Sequence, residues 1–369
     1  MIGLLSAVFN ISVCVGFPIT VFIVLLAKSK KLNTELKIFI VGICTYLAAQ
    51  ILFRQPLLAI LQNIDSYRIL ISTNRVAYVA VLAVTAACAE EVGRYIAFRF
   101  FVKNPEQQNT PLYFGLGHGG IEALSVGVNN VILLVCSPYT LINMGADVAL
   151  AGVERISTLL AQVAFSYIVF CSYRKEKYRY LILAIILHTA YDLPIILLDY
   201  GVSPFIFEIG LFLFSAILFL STLKRVRGYC LMKKIINLLA CCLIVTSLLT
   251  ACGNNKLPEW ADTEALTEKA RTMIDTLNAF DYDGVSEIYD NPEVDATTFE
   301  ASGEIIKTYG EFESYGDVSY VADKTDDGSE FVRVIQVADY EKGKLTFTAS
   351  FFEDGHIKHI ENTGQYINS

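Results

Sequence analysis

Residues 76 to 100 read VAYVAVLAVTAACAEEVGRYIAFRF. A run this long and apolar has the length that crosses a bilayer core of about 30 Å, yet Glu90, Glu91 and Arg94 lie in its interior. Charge near the bilayer centre is costly, so such residues face protein and mark a pathway or a reactive centre. The stretch therefore predicts one helix of a multi-pass bundle with a polar interior. Working outward, comparable runs fall at about 4 to 27, 36 to 53, 112 to 136, 153 to 172, 180 to 199 and 203 to 223, which makes seven spans. Two of them carry ionisable pairs at helical spacing, His118-x-x-x-Glu122 and His188-x-x-x-Asp192.

The chain as a whole is 54% hydrophobic with 18% charged residues, but its charge is divided. Residues 1 to 231 hold 18 Lys and Arg against 12 Asp and Glu, a net of +6; the remainder holds 11 against 25, a net of −14, and the two give the overall −8. Two environments are implied. An acidic half and the absence of a basic aromatic stripe exclude nucleic acid as a partner. Basic clusters follow every second span: Lys28, Lys30 and Lys31; Arg99 and Lys103; Arg174, Lys175, Lys177 and Arg179; Lys224, Arg225 and Arg227. The loops 137 to 152 and 200 to 202 carry neither Lys nor Arg, so the positive-inside rule puts the N-terminus outside and residue 228 in the cytoplasm. Arg54, Arg68 and Arg75, around the second loop, dissent.

Depth along the helices brings the ionisable groups together. Glu90 is nine residues from Arg99, His118 six from Leu112 and His188 eight from Tyr180, so at about 1.5 Å per residue all three lie roughly 9 to 14 Å below the cytoplasmic boundary. Residues four apart on a helix are neighbours, which makes each His with its carboxylate a pair of metal ligands or a His oriented by an acid. Glu91 is turned by about 100° from Glu90, so both serve one site only if their helix is wedged between two partners. Ser125 and Asn129 extend a polar stripe beyond His118, and Gly115, Gly117, Gly119, Gly120 and Gly127 permit close helix approach. Three readings stay open on spacing alone: structural ion pairing, a proton or ion pathway, and a metal hydrolase. The last fits Zn²⁺, which takes N and O ligands and leaves a position for water, with a free Glu to accept the proton.

At these residues the chain resembles a known group. Glu90-Glu91 with Arg94, Phe114-Gly-Leu-Gly-His118 and His188-Thr-Ala-Tyr-Asp192 look like the E-E-x-x-R, F-x-x-x-H and H-x-x-x-N/D motifs of the CAAX-prenyl and bacteriocin-processing membrane proteases, and Gly115 to Glu122 is closest to their YhfC-type branch. The resemblance covers residues 1 to about 228. It implies an intramembrane metalloprotease acting on a membrane protein or peptide, in which Glu90 activates water with Glu91 and Arg94 beside it, His118 and His188 bind zinc, and Asp192 and Glu122 are further ligands. The rival is a non-enzymatic membrane protein, a transporter or an immunity-type scaffold.

From Met232 the sequence reads Met-Lys-Lys, an apolar run from Ile235 to Leu248, then Leu249-Thr250-Ala251-Cys252. These are the parts of a lipoprotein signal in order; segment 229 to 252 is either that signal, with Cys252 lipidated, or an eighth span. Either way residues 253 to 369 lie outside a bacterial cell membrane. All nine cysteines lie at or before Cys252, so no disulfide framework holds this part, and those within spans read as small buried hydrophobes.

The exported part predicts an α+β domain: a helix at 263 to 280 capped by Asp262 or Thr263, shorter helices at 283 to 290 and 297 to 309, then period-two strands at 315 to 322, 330 to 339, 344 to 352 and 356 to 361. Its turns are Glu341-Lys-Gly-Lys344 and Asp354-Gly355. Leu277 to Tyr282, a Leu-Asn-Ala-Phe-Asp-Tyr, resembles bacterial lipoprotein domains of cystatin-like or nuclear-transport-factor-like fold. His356 and His359 read as surface residues without a shared metal.

Overall fold

The computed structural model describes residues 2–27, 32–102, 109–138, 145–226, 257–289, 296–325, 328–353 and 357–362. The segment 232 to 252 with Cys252, the Asp354-Gly355 turn and His356 lie outside the described residues. Two compact units are present, residues 1–56 with 79–249, and residues 57–78 with 250–369.

Among the described residues seven helices are long and apolar enough to cross a membrane: α1 (Gly3–Val24), α2 (Leu32–Leu61), then, after the short α3 (Asp65–Thr73) of the second unit, α4 (Arg75–Phe101), α5 (Thr110–Cys136), α6 (Asp147–Lys175), α7 (Arg179–Asp199) and α8 (Pro204–Leu223). All seven expected spans are found. Their irregularities follow the prolines, which lack the N–H that would bond the carbonyl four residues back. Pro18 follows a π turn at Ser12–Gly16, Pro56 follows one at Ala48–Arg54, and Pro194 sits in a 3₁₀ turn at Leu193–Ile195. The α2 helix runs past the expected end at 53, so Arg54 belongs to it rather than to a loop.

The helix α6 is the centre of the bundle, with 78% of its most apolar window buried against 17 to 33% for the other six. It packs against α1, α5, α7 and α8, while α2 crosses α5 closely. Glycine makes that crossing possible: a Cβ on Gly117 would stand 2.1 Å from the Phe39 carbonyl oxygen. Around these contacts Phe98, Phe114, Phe165, Ile168, Leu187 and Leu218 form the apolar core. Each such side chain, fully buried, contributes about 1.5–3 kcal/mol in a water-referenced fold; in lipid, van der Waals packing takes over that role. Two sequence readings change here. Of the described cysteines only Cys14 is buried, and Cys44, Cys88 and Cys136 are exposed because they fall on outward faces. Asn129, expected on the polar stripe, is exposed as well, while its neighbour Asn130 reaches across to α1 and donates to Asn10 Oδ1 at 2.7 Å.

In the second unit, Asp262 caps α9 (Thr263–Asn278) by accepting from the N–H groups of Glu264 and Ala265, as its residue type requires. The helices α10 (Tyr282–Tyr289) and α11 (Thr297–Tyr309) follow, then β1 (Phe312–Lys324), β2 (Glu330–Tyr340), β3 (Gly343–Phe352) and β4 (Ile357–Asn362) in an antiparallel sheet of order β1-β2-β3-β4. Leu266, Ala270, Met273, Ile274 and Leu277 of α9 pack on Val332, Val334, Leu345, Phe347 and Phe351 of the sheet. The α+β expectation holds element by element. One polar side chain sits on the face turned to α9: Gln336, which accepts from Arg271 Nε at 3.0 Å.

Candidate functional site

The polar interior is assembled by α4. Glu90, Glu91 and Arg94 fall on its buried side, at 3%, 0% and 0% exposure. Glu90 Oε2 lies 3.0 Å from His118 Nε2 on α5, and Glu91 Oε1 lies 2.7 Å from His188 Nδ1 on α7. The helix is thus wedged between two partners, which is what lets adjacent glutamates turned about 100° apart serve one site. Arg94 stands between them, its Nη2 at 3.6 Å from Glu90 and 3.4 Å from Glu91.

The other two expected carboxylates are placed differently. Asp192 Oδ2 is 3.5 Å from His188 Nε2 and partly open. Glu122 is not in contact with His118; it accepts from Gln162 Nε2 at 2.8 Å and from Arg155 Nη1 at 3.2 Å. Arg155 also pairs with Glu154.

Several residues of this site had no signal in the charge pattern. Gln162 on α6, 2% exposed, donates from Nε2 to both Glu90 and Glu122 and accepts from Arg94 Nη2 at 2.5 Å. The Gln162 backbone carbonyl and Ser166 Oγ take Arg94 Nη1. Gln50, in the π turn of α2, donates to Glu90 Oε1 at 2.7 Å and accepts from Arg54. Phe165 stacks on His188 at 4.7 Å between ring centres, and Tyr46 meets His118 edge-on at 5.3 Å. Close packing sets this level: a Cβ on Gly119 would stand 2.9 Å from Gln162 Cβ.

Comparison with known proteins settles what kind of chain this is. The model of the YhfC intramembrane metalloprotease family matches residues 14–146 and 139–213, more than half of the sequence, including every helix that supplies the site. The chain belongs to that family. It is 25% identical over 199 residues to the uncharacterized membrane protein YhfC of Bacillus subtilis (strain 168), a match spanning 47% of this chain and 77% of the relative. A solved NMR structure of a protein from Ruminococcus gnavus ATCC 29149 is 22% identical, covering 29% of this chain and 96% of its own, with a TM-score of 0.27, too low to support a shared fold.

For a YhfC-family chain the question is whether these residues suit a metal. Glu90, Glu91 and His188 each offer a donor atom, and the three atoms lie within 4.8 Å of one another, all buried. Glu91 Oε2 and His118 Nδ1 are buried without a hydrogen-bond partner. Unpartnered buried polar atoms are costly in a finished interior, and an N and O donor set with spare acceptor capacity fits a bound divalent ion. His188 Nε2 and Glu90 Oε2, 4.0 Å apart, are within reach of a single ion with bonds of about 2.0–2.2 Å.

Proposed function

We propose that this centre hydrolyses peptide bonds of a membrane protein or peptide, with zinc as its metal. The observation that carries the reading is the meeting of two glutamates, two histidines and an arginine from three spans at one buried level. Family membership points the same way.

In this reading Glu91 orients His188 through Nδ1, which leaves Nε2 facing Glu90 and Asp192. His118 and His188 would hold the metal, with Asp192 completing the set. When bound, zinc supplies a Lewis acid for the scissile carbonyl and lowers the pKa of its water toward neutrality. Glu90 takes the proton of the attacking water and returns it to the leaving amine. Arg94 places one guanidinium against two adjacent carboxylates and offsets part of the cost of burying them. Glu122 is held by Gln162 and Arg155 and serves to fix Gln162 rather than to bind metal.

Substitution of Glu90 by Gln keeps size and hydrogen bonding and removes the base. It should abolish cleavage with the fold intact; unchanged cleavage would remove Glu90 from the reaction. His118→Ala and His188→Ala should each lower the metal content of purified protein, and stoichiometric metal in both would put the ligands elsewhere.

We further infer that residues 253–369 lie outside the cell and that Cys252 is lipidated after cleavage of the preceding bond. The support is the ordered signal from Met232 and the alternation of basic clusters. An antibody to the C-terminal region should detect a product near the size of residues 252 to 369 that is lost in Cys252→Ala; full-length chain alone, unaffected by that substitution, would contradict it.

A further inference from the structure

The sheet of the second unit has more buried surface than its own helices account for. Val332, Val334 and Tyr340 face the α9 side, yet Ile335 and Val337, pointing the other way on β2, are also fully buried, and Thr346 on β3 is 3% exposed. In a sheet with one packed face those positions should be open. What reaches this second face is α3, Asp65–Thr73, from the loop between the second and third spans, which clusters with residues 250–369 in one compact unit.

The contact is built from matched charges and a specific irregularity. Asp65 Oδ1 is 2.8 Å from Lys344 Nζ, and its Oδ2 accepts from the Asp317 N–H at 3.2 Å. That N–H is free of the ladder because the β1–β2 register shifts between Tyr315 and Val318. A bulge leaves a backbone donor unpaired, and here the donor is aimed at a carboxylate. Gly316 lets that carboxylate in: a Cβ there would stand 2.4 Å from Asp65 Oδ2. One turn along α3, Arg68 Nη1 donates to Thr346 Oγ1 at 3.3 Å, and its Nε is taken by the Gln62 carbonyl. Inside the sheet, Gln336 Nε2 holds the bulge in place through the Gly316 and Asp317 carbonyls.

We propose that the second face of this sheet is a docking surface whose occupant is α3, recognised through its Asp65-x-x-Arg68 face. The two stretches are far apart in sequence, so the contact holds the C-terminal domain to the membrane part even when the chain is cut before Cys252. It also accounts for Arg68, which dissents from the positive-inside pattern: the acidic domain uses its charge. The inference shares with the topology reading above the requirement that residues 62–74 and 257–362 lie on one side of the membrane; it does not depend on which side.

The test uses the full chain with an N-terminal affinity tag and a protease site placed in the 253–257 tether. After cleavage in mild detergent the C-terminal fragment should stay with the tagged part. Asp65→Lys and Lys344→Asp should each speed its release about tenfold or more, as loss of one partner of a bonded charge pair acts on dissociation, and the double variant should restore retention. Gly316→Ala, which obstructs the carboxylate without altering charge, should also weaken it. A fragment that washes off the unaltered chain, or retention indifferent to all of these changes, would overturn the proposal. Cysteines placed at Ser66 and Ser329, on a background lacking native thiols, separate the two readings. Labelling of both from outside supports both; labelling from opposite sides overturns the docking; labelling of both only from inside keeps the docking and overturns the orientation.

Discussion

Each unit of the molecule is organised around a buried glutamine, and the two side chains do different work. In the bundle, Gln162 connects ionisable side chains: it donates to Glu90 and Glu122 and accepts from Arg94. In the sheet, Gln336 connects backbone: it donates to the carbonyls of Gly316, Asp317 and Val337 and accepts from Arg271. Around Gln162, Glu91 Oε2, His118 Nδ1 and Arg94 Nε remain without partners, whereas both polar atoms of Gln336 are satisfied. A saturated buried network rigidifies a fold, and one left with spare capacity is available to a ligand. On the proposed reading, the network around Gln162 serves chemistry and that around Gln336 serves architecture.

Breaking the comparison at its most charged point should have the largest effect. Arg94→Met leaves two adjacent glutamates buried without their cation, which should destabilise the bundle by about 3–5 kcal/mol. Thermal unfolding in detergent would read it; a Tm within a degree or two of the unaltered protein would mean that the glutamates do not both carry charge. Replacing Gln162 by Met should spare the fold better and lower cleavage about 10- to 100-fold, the usual effect of losing a partner that orients a reactive group. In the sheet the converse is expected. Gln336→Leu strands three carbonyls and Arg271, costing about 1–3 kcal/mol of stability, with cleavage by the bundle unchanged. If the two glutamine variants shifted the same observable, the division between chemistry and architecture would fail.

The smallest expected effect is a pH dependence at the α3 contact. Burial pushes the Asp65 carboxyl up, but bonds from Lys344 and the Asp317 N–H, with the charges of Lys344 and Arg68, outweigh it and hold the group below its ordinary 3.8. A lowered carboxyl contributes above its unfolded pKa and loses that contribution as pH falls through the folded one. Retention of the cleaved fragment should accordingly be flat from neutral pH to about pH 5 and weaken below about pH 4. Asp339, which shares Lys344, and Tyr309, near Arg68, also face this contact. A fragment retained equally down to about pH 2 would show that Asp65 does not carry the contact.

Much of this was legible in the residues because lipid enforces simple rules. Seven spans follow from apolar length, and Glu90, Glu91, Arg94, His118 and His188 are conspicuous since ionised groups are expensive there. Gln50 and Gln162 were not, because an uncharged amide in an apolar run reads equally well as a passive interhelical bond. Glu122 stands out by its spacing from His118, but spacing cannot reveal that α6 brings Gln162 and Arg155 to it. The π turns could be located only by their following prolines, and helical periodicity does not show that one of them carries Gln50. In the sheet, period-two alternation placed the strands; it could not foresee a second packed face, because the covering helix comes from a loop more than 250 residues earlier, Asp65 to Asp317 being 252 apart.

If the buried cluster on α4, α5 and α7 cuts peptide bonds, it leaves new protein termini in the membrane. Termini are compared in membranes of cells expressing the unaltered chain and of cells expressing Glu90→Gln at equal level and equal thermal stability. A set of new termini within or beside membrane spans should be present with the unaltered chain and absent with the variant. The same set of termini in both would rule out peptide-bond cleavage by this cluster.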